Sequence, residues 1–212
     1  MTTIISIKGK NTRMGSLFKT PKHNLLYKGR PALEQTVEYM SQFGEVKVMT
    51  HENSPPDTGI VDMLLQMDLP DKFFVVDCDV IPIRLNTPTG TTVYCFKNPN
   101  YNSIPESVEG DDGFLEFKFK TSPPTTYSNF LVSRGGVLKC NEKGEGYNFC
   151  GAGVYYFQTS HFFKDCADGC KTIAEVIEKM LKKHSALMPK ADTASEIFRF
   201  GSLQTIHNNE CN

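Results

Sequence analysis

The feature that most constrains the fold is an alternation in the first half of the chain. Apolar runs at residues 2–7 (TTIISI), 45–50 (EVKVMT), 72–78 (KFFVVDC) and 91–97 (TTVYCFK) are separated by stretches with helical spacing. The first three runs are rich in β-branched and aromatic residues and lack polar alternation, as strands covered on both faces do. Between the first two, Pro31 opens a helix in which Leu33, Val37 and Met40 recur at helical spacing, and Gly44 closes it. A second helix is expected from about Thr58 to Met67. This order of strand, loop, helix, strand, helix, strand predicts the α/β class, with a doubly wound, mostly parallel sheet.

The middle of the chain changes character. Runs at 113–120 (GFLEFKFK), 129–134 (NFLVSR) and 136–143 (GVLKCNEK) read as shorter strands joined by Gly, Pro and Ser turns, a small β-rich insertion forming a wall beside the sheet. The run 151–158 (GAGVYYFQ) returns to a buried strand. Thr172 and Glu175 form a T-x-x-E capping box, and Ile173, Val176, Ile177, Met180 and Leu181 line one face of the helix it starts.

Composition excludes several classes. The formal net charge of −1 gives no global field for nucleic acid. No apolar run reaches the ~18–20 residues that span a bilayer, so no membrane partner is expected. The opening MTTIISIKGK puts its positive charge after a short apolar run, so a secretory leader is not expected. The seven cysteines (Cys78, Cys95, Cys140, Cys150, Cys166, Cys170, Cys211) have no regular spacing. They read as reduced, mostly buried thiols of a cytoplasmic protein, although Cys166 and Cys170 with His161 have the outline of one corner of a zinc site. His51, His161 and His184 read as surface or satisfied core histidines.

Two stretches carry chemistry. Directly after the first strand comes GKNTRMGSLFKTPK, residues 9–22. The loop at the carboxyl end of that strand is where a doubly wound sheet binds anions. Gly9 allows close backbone approach, and Asn11 tolerates left-handed dihedrals. Successive amides in such a turn form an anion nest, to which Arg13 adds a planar fork and Lys22 a mobile point charge. A solvated basic surface loop is the other reading of the same composition. The second stretch, FFVVDCDVI, ends an otherwise apolar strand in Asp77 and Asp79, where unpaired burial would be costly. Two residues apart on a strand they share a face and both could reach one hard cation. The other reading is a strand-end cap. A basic phosphate loop beside an acidic metal dyad is what phosphoryl or nucleotidyl transfer requires.

These residues resemble the sugar-phosphate nucleotidylyltransferases. That family opens with a strand, G-x-G-T-R-[LM], a later P-K and a helix opened by G-[KR]-P; here the same order reads GKNTRM, TPK and KGRP. The aspartate of VVDCDVI, Glu142-Lys143 and the strand residues Gly153-Val154-Tyr155-Tyr156-Phe157 follow in the family's order. The resemblance implies a Rossmann-like, GT-A-like fold over one domain of residues 1–212, with 1–97 as nucleotide-binding half, 98–160 as acceptor half and 161–212 as C-terminal helix and closing segment. It implies a magnesium-dependent reaction in which an NTP and a phosphorylated small acceptor give a nucleotide-activated product and pyrophosphate. Gly9, Lys10, Asn11 and Thr12 would cradle the triphosphate. Arg13 would neutralise the leaving pyrophosphate, and Lys22 would hold the α-phosphate beside the acceptor phosphate. Asp79 with Asp77 would bind magnesium, and Gly59 would pack against the nucleobase. Lys143 would grip the acceptor phosphate, with Glu142, Asn148 and Gly153 lining its pocket. Homo-oligomers are familiar in the family, but no exposed stripe predicts one here.

The chain also departs from the family. A second metal-binding acid is usual near the C-terminus, and in the matching stretch IFRFGS (197–202) Arg199 or Gly201 stands in its place; Asp192 and Glu196 are the nearest acids. In size the chain is nearer to compact members acting on phosphocholine, whose acceptor would favour an aromatic cage. Tyr101, Tyr127, Tyr147 and Phe149 are available for one. Two rivals remain. A GT-A glycosyltransferase shares the D-x-D but has no need of the basic N-terminal loop. A non-catalytic relative would keep the fold as a binding or regulatory module.

Overall fold

The computed structural model of the chain describes residues 1–7, 21–50, 59–98, 101, 106–109, 115–118, 127–142, 146–184 and 188–200. In chain order the elements are β1 (Thr2–Ser6), a 3-10 turn (Lys22–Asn24), β2 (Leu26–Tyr27), β3 (Arg30–Pro31), α1 (Ala32–Ser41), β4 (Glu45–Met49), α2 (Ile60–Leu65) and β5 (Phe73–Asp77). These are followed by β6 (Val80–Arg84), β7 (Thr92–Lys97), β8 (Glu106–Glu109), β9 (Leu115–Lys118), β10 (Ser128–Ser133), β11 (Gly136–Glu142) and β12 (Phe149–Phe157). The last elements are α3 (Ser160–Ala167), α4 (Ile173–Lys183), β13 (Lys190–Asp192) and β14 (Glu196–Arg199).

The strands expected from the first four apolar runs are β1, β4, β5 and β7. They lie in an eight-stranded sheet of order β10-β11-β13-β7-β12-β5-β1-β4. Strand alternation sends Ile4, Phe73 and Val75 to one face, where they pack with Val61, Met63, Phe157, Phe163, Val176 and Ile177. Ile5, Phe74 and Val76 go to the other face and meet Met40, Val80, Tyr94 and Val154. Helix α1 covers this second face while α2, α3 and α4 cover the first, which is why the central strands read as unbroken apolar runs. Phe73, Phe157 and Phe163 form a ring cluster with centroids 4.9–5.5 Å apart. Burying each such ring contributes roughly 1.5–3 kcal/mol. Helix α4 begins with the expected capping box: Thr172 accepts from the Glu175 amide, and the Glu175 carboxylate accepts from the Thr172 amide.

Two expectations need correction. The sheet is mixed rather than mostly parallel. β1 runs parallel to β4 and β5, and β13 parallel to β7. β12, however, is antiparallel to both β5 and β7, and β10 and β11 form an antiparallel pair. An apolar strand covered on both faces looks the same in either direction, so composition does not reveal this reversal. Nor do β10 and β11 stand as a separate wall. They pair with β12 and β13 within the main sheet, while β8 and β9 form a two-stranded sheet of their own. Pro82 lies within β6, a short strand whose partner is β14. Among the described residues no helix is long and apolar enough to cross a membrane.

Candidate active site

The carboxyl ends of β1, β4 and β5 meet at one edge. Ser6 is in register with both Met49 and Asp77, so the carboxyl end of β1 lies directly beside the first aspartate. β5 ends at Asp77, Cys78 and Asp79 form a turn, and β6 starts at Val80. The two carboxylates therefore do not share a strand face, contrary to the spacing argument. They converge because the chain reverses between them and a third residue gathers both.

That residue is Arg199, the last position of β14. Pairing of β14 with β6 places Arg199 opposite Val80, and the Phe200 amide donates to the Asp79 carbonyl at 2.9 Å. From there the guanidinium Nη2 donates to Asp77 Oδ2 at 2.9 Å and Nη1 to the Gly151 carbonyl at 2.9 Å. Nε lies 3.7 Å from Asp79 Oδ1, an ion-pair distance, and closes no hydrogen bond among the described residues. The guanidinium carbon stands 5.1 Å over the Tyr127 ring. Side-chain exposure is 17% for Arg199, 9% for Asp79 and 42% for Asp77, so the cluster is a partly open floor rather than a sealed core. Burial works against the Arg199 charge, but Asp77 and then Asp79 outweigh it and hold the guanidinium protonated more firmly than usual.

Gly153 completes the floor. It stands next to Val154, which pairs with Val76, and it occupies a register break between β12 and β7 with φ +79°. A Cβ there would come within 2.7 Å of Asp77 Oδ2 and 2.8 Å of Val80 Cγ2. Gly153 thus leaves the room that the Asp77 carboxylate fills, in a conformation side chains disfavour. On the far side, Ser128 donates to Glu142 Oε2 at 2.5 Å and is hydrogen-bonded with the buried Tyr155 hydroxyl. Burial raises the Tyr155 phenol above its usual range, Asp77 adds to this, and Arg199 opposes it. A polar line therefore runs from Glu142 through Ser128 and Tyr155 toward the Asp77–Arg199 pair.

The other expected site residues divide clearly. Gly9, Lys10, Asn11, Thr12, Arg13 and Lys143 lie outside the described residues, and Lys22 is described in its backbone only, at the start of the 3-10 turn. Gly59 is the N-cap of α2, in extended geometry with the Lys171 carbonyl as its neighbour. The Asn148 amide accepts from the Val132 amide and donates to the Val132 carbonyl, each at 2.8 Å. It patches the place where β10 slips register against β11. Tyr127 and Phe96 meet edge to face at 5.4 Å, so the ring beneath Arg199 is itself held. Cys166 does not join Cys170 in a zinc corner: the Cys170 thiol donates to the Cys166 carbonyl, and the polar groups grouped near Cys166 are Asp165 and His184. The sequence pattern marked Arg199 or Gly201 as standing where an acid belongs. Its contact with Asp77, 122 residues away, left no local signal.

The donor set suits a hard cation in kind, since both acids offer carboxylate oxygens. In number it offers two carboxylates, with a guanidinium bonded to one and adjacent to the other. Both carboxylates thus already face a fixed cation, Asp77 at 2.9 Å and Asp79 at 3.7 Å from the Arg199 guanidinium.

No protein-family model matches the chain, and no curated protein matches it. Solved structures do. A UDP-glucose pyrophosphorylase complexed with UDP-glucose superposes with a TM-score of 0.69 at 12% identity, covering 99% of this chain and 97% of that one. A nucleoside-diphosphate-sugar pyrophosphorylase from Vibrio cholerae gives 0.67 at 12% identity, with 100% of both chains covered. The inositol-1-phosphate CTP transferase from T. maritima gives 0.60 at 12% identity, covering 96% of this chain and 90% of that one. The chain has the fold of the sugar-phosphate nucleotidyltransferases. Within that fold, the Asp77–Asp79–Arg199 cluster sits at the carboxyl edge, where α/β sheets bind their ligands.

Proposed function

We propose that the chain is a nucleotidyltransferase that moves NMP from an NTP onto the phosphate of a small phosphorylated acceptor and releases pyrophosphate. The observation that carries this reading is the pair Asp77 and Asp79 gathered by Arg199 at the carboxyl end of β5, at the edge where β1 also ends. The likeness in fold to enzymes named for this reaction class supports it.

In this reading an acceptor phosphate oxygen forms a bond to the α-phosphorus while the bond from that phosphorus to the bridging oxygen of pyrophosphate breaks. The acceptor is already ionised near neutral pH, so the protein's task is alignment and charge screening rather than proton removal. Gly9, Lys10, Asn11 and Thr12 cradle the triphosphate, and Gly59 borders the base. Arg13 offsets the charge growing on pyrophosphate. Lys22 and Lys143 bring the two reacting phosphates together despite their repulsion. Glu142 borders the acceptor side, Asn148 acts through the strand it holds, and Gly153 through the space it leaves for Asp77. Asp77 and Asp79 hold the Arg199 guanidinium at this edge, and no step runs through a metal on them.

The deciding experiment is pyrophosphate release with magnesium, across four NTPs and a panel of sugar 1-phosphates and small phosphorylated alcohols. Release with one nucleotide and one acceptor is the expected result. Arg13→Ala should then lower turnover about 10²–10³-fold, the range for losing one donor to a developing anion. One observation favours a second reading, a non-catalytic binding module: a guanidinium already bonded to the dyad. A folded chain that binds an NTP yet stays silent across the panel would establish that reading instead.

A further inference from the structure

We infer that the Asp77–Asp79 pair of this chain is the seat of β14 and binds no divalent ion, because the Arg199 guanidinium lies between the two carboxylates and the fold keeps it there. The magnesium expected from the sequence pattern does not fit these residues. Nothing in this depends on whether the chain transfers a nucleotide.

Magnesium sits about 2.0–2.1 Å from a carboxylate oxygen. The guanidinium stands on that ground, with Nη2 donating to Asp77 Oδ2 at 2.9 Å and Nε 3.7 Å from Asp79 Oδ1. An ion shared between those two oxygens would have to lie within the guanidinium. An ion on an outer oxygen of one acid would lose the other acid as a ligand and would face the guanidinium charge at close range. Each carboxylate has already committed its charge to a partner that the chain itself supplies.

None of the three groups is free to step aside. Arg199 is placed by backbone: β14 is in register with β6, and the Phe200 amide donates to the Asp79 carbonyl. Its neighbours are anchored by rings, since Phe198 stacks on Tyr27 at 4.2 Å and the buried Phe200 meets Phe198 edge to face at 4.9 Å. The guanidinium also donates to the Gly151 carbonyl and rests on Tyr127, two contacts that a metal on the acids would not replace. Asp77 is confined from behind, where Gly153 leaves only the room its carboxylate fills. Asp79 is buried. A metal would have to undo all of these contacts to gain two ligand atoms. The positive charge at this edge therefore belongs to the chain and does not vary with metal concentration.

Manganese is the probe, counted on the full chain by electron paramagnetic resonance of the unbound ion, up to millimolar concentration and without nucleotide. Wild type and Asp79→Asn should bind the same number of ions with the same affinity. An ion present in wild type and lost in Asp79→Asn would overturn the inference, and Asp77→Asn takes its place if that variant does not fold. Arg199→Asp, which puts a carboxylate where the guanidinium stands, should gain an ion that Asp79→Asn in the same chain removes again. No gain would overturn the role given to Arg199. Should Arg199→Asp not fold, Arg199→Gln removes the charge while keeping a donor for the Gly151 carbonyl, and the same gain is expected. Pyrophosphate release is measured separately. A chain that releases none, with these ion counts as expected, keeps this inference and loses only the reaction.

Discussion

Two clusters in this molecule pair carboxylates with cations, and they differ in almost everything else. At the carboxyl edge of the sheet, Arg199 joins Asp77 and Asp79 from positions far apart in sequence, with Arg199 and Asp79 largely withdrawn from water. On the surface between α3 and α4, Asp165 bonds to Lys183 Nζ at 3.3 Å and lies 3.0 Å from His184 Nε2. There the partners are half exposed and close in the fold through adjacent helices. Hydrogen bonds from His184 and then Lys183 hold the Asp165 carboxyl below its usual range. In the second cluster water and salt screen each charge, and such pairs contribute little. In the first, the backbone itself brings the charges together, and losing a partner leaves a charge that water reaches poorly. Similar ion-pair chemistry is therefore incidental in one place and organising in the other.

The sharpest way to break the comparison is Asp79→Asn. Turnover should fall at least about 10²-fold, the scale for removing a charge-stabilising group, while the chain stays folded because Asp77 still pairs with Arg199. Normal pyrophosphate release by this variant would remove the acidic edge from the mechanism. Next comes Arg199→Ala, expected to cost about 1–3 kcal/mol in urea unfolding because its hydrogen-bond partners lose their donor. A stable variant would show that the cluster organises nothing. Gly153→Ala should destabilise by roughly 1–2 kcal/mol from its left-handed backbone alone. It should also impair turnover, because the new Cβ meets Asp77. The smallest effect belongs to Asp165→Asn, which should leave the melting temperature within error at physiological salt. Whatever Asp165 contributes is present above the carboxylate's unfolded pKa and is lost as pH falls through its lowered folded value, so only acid titration at low salt should reveal it. A large melting shift near neutral pH would erase the distinction between the two clusters.

Much of the framework was legible in residue pattern. The apolar runs became β1, β4, β5 and β7, the helix opened by Pro31 became α1, and the Thr172–Glu175 box caps α4. These signals are local: periodicity and capping act within a few residues. Asp77 and Asp79 were equally visible, as charges ending an apolar run. Strand direction was not visible, and β12 lies reversed between two strands of similar composition. The short β13 and β14 carry too few residues to show a period. The family resemblance put Asn148 in the acceptor pocket, and in the structure its amide is bonded to the Val132 backbone.

By itself, then, the sequence determined which segments form the central elements, which faces are apolar, and which residues are chemically able to bind phosphate or a cation. Those properties depend on side-chain type and short-range spacing. Only the tertiary structure decided that Arg199 meets Asp77 and Asp79, that Gly153 makes room for a carboxylate, and that β10 and β11 extend the main sheet. Such contacts join residues distant in sequence, 122 positions apart for Arg199 and Asp77, and they exist only because strand pairing and core burial bring the backbone segments together.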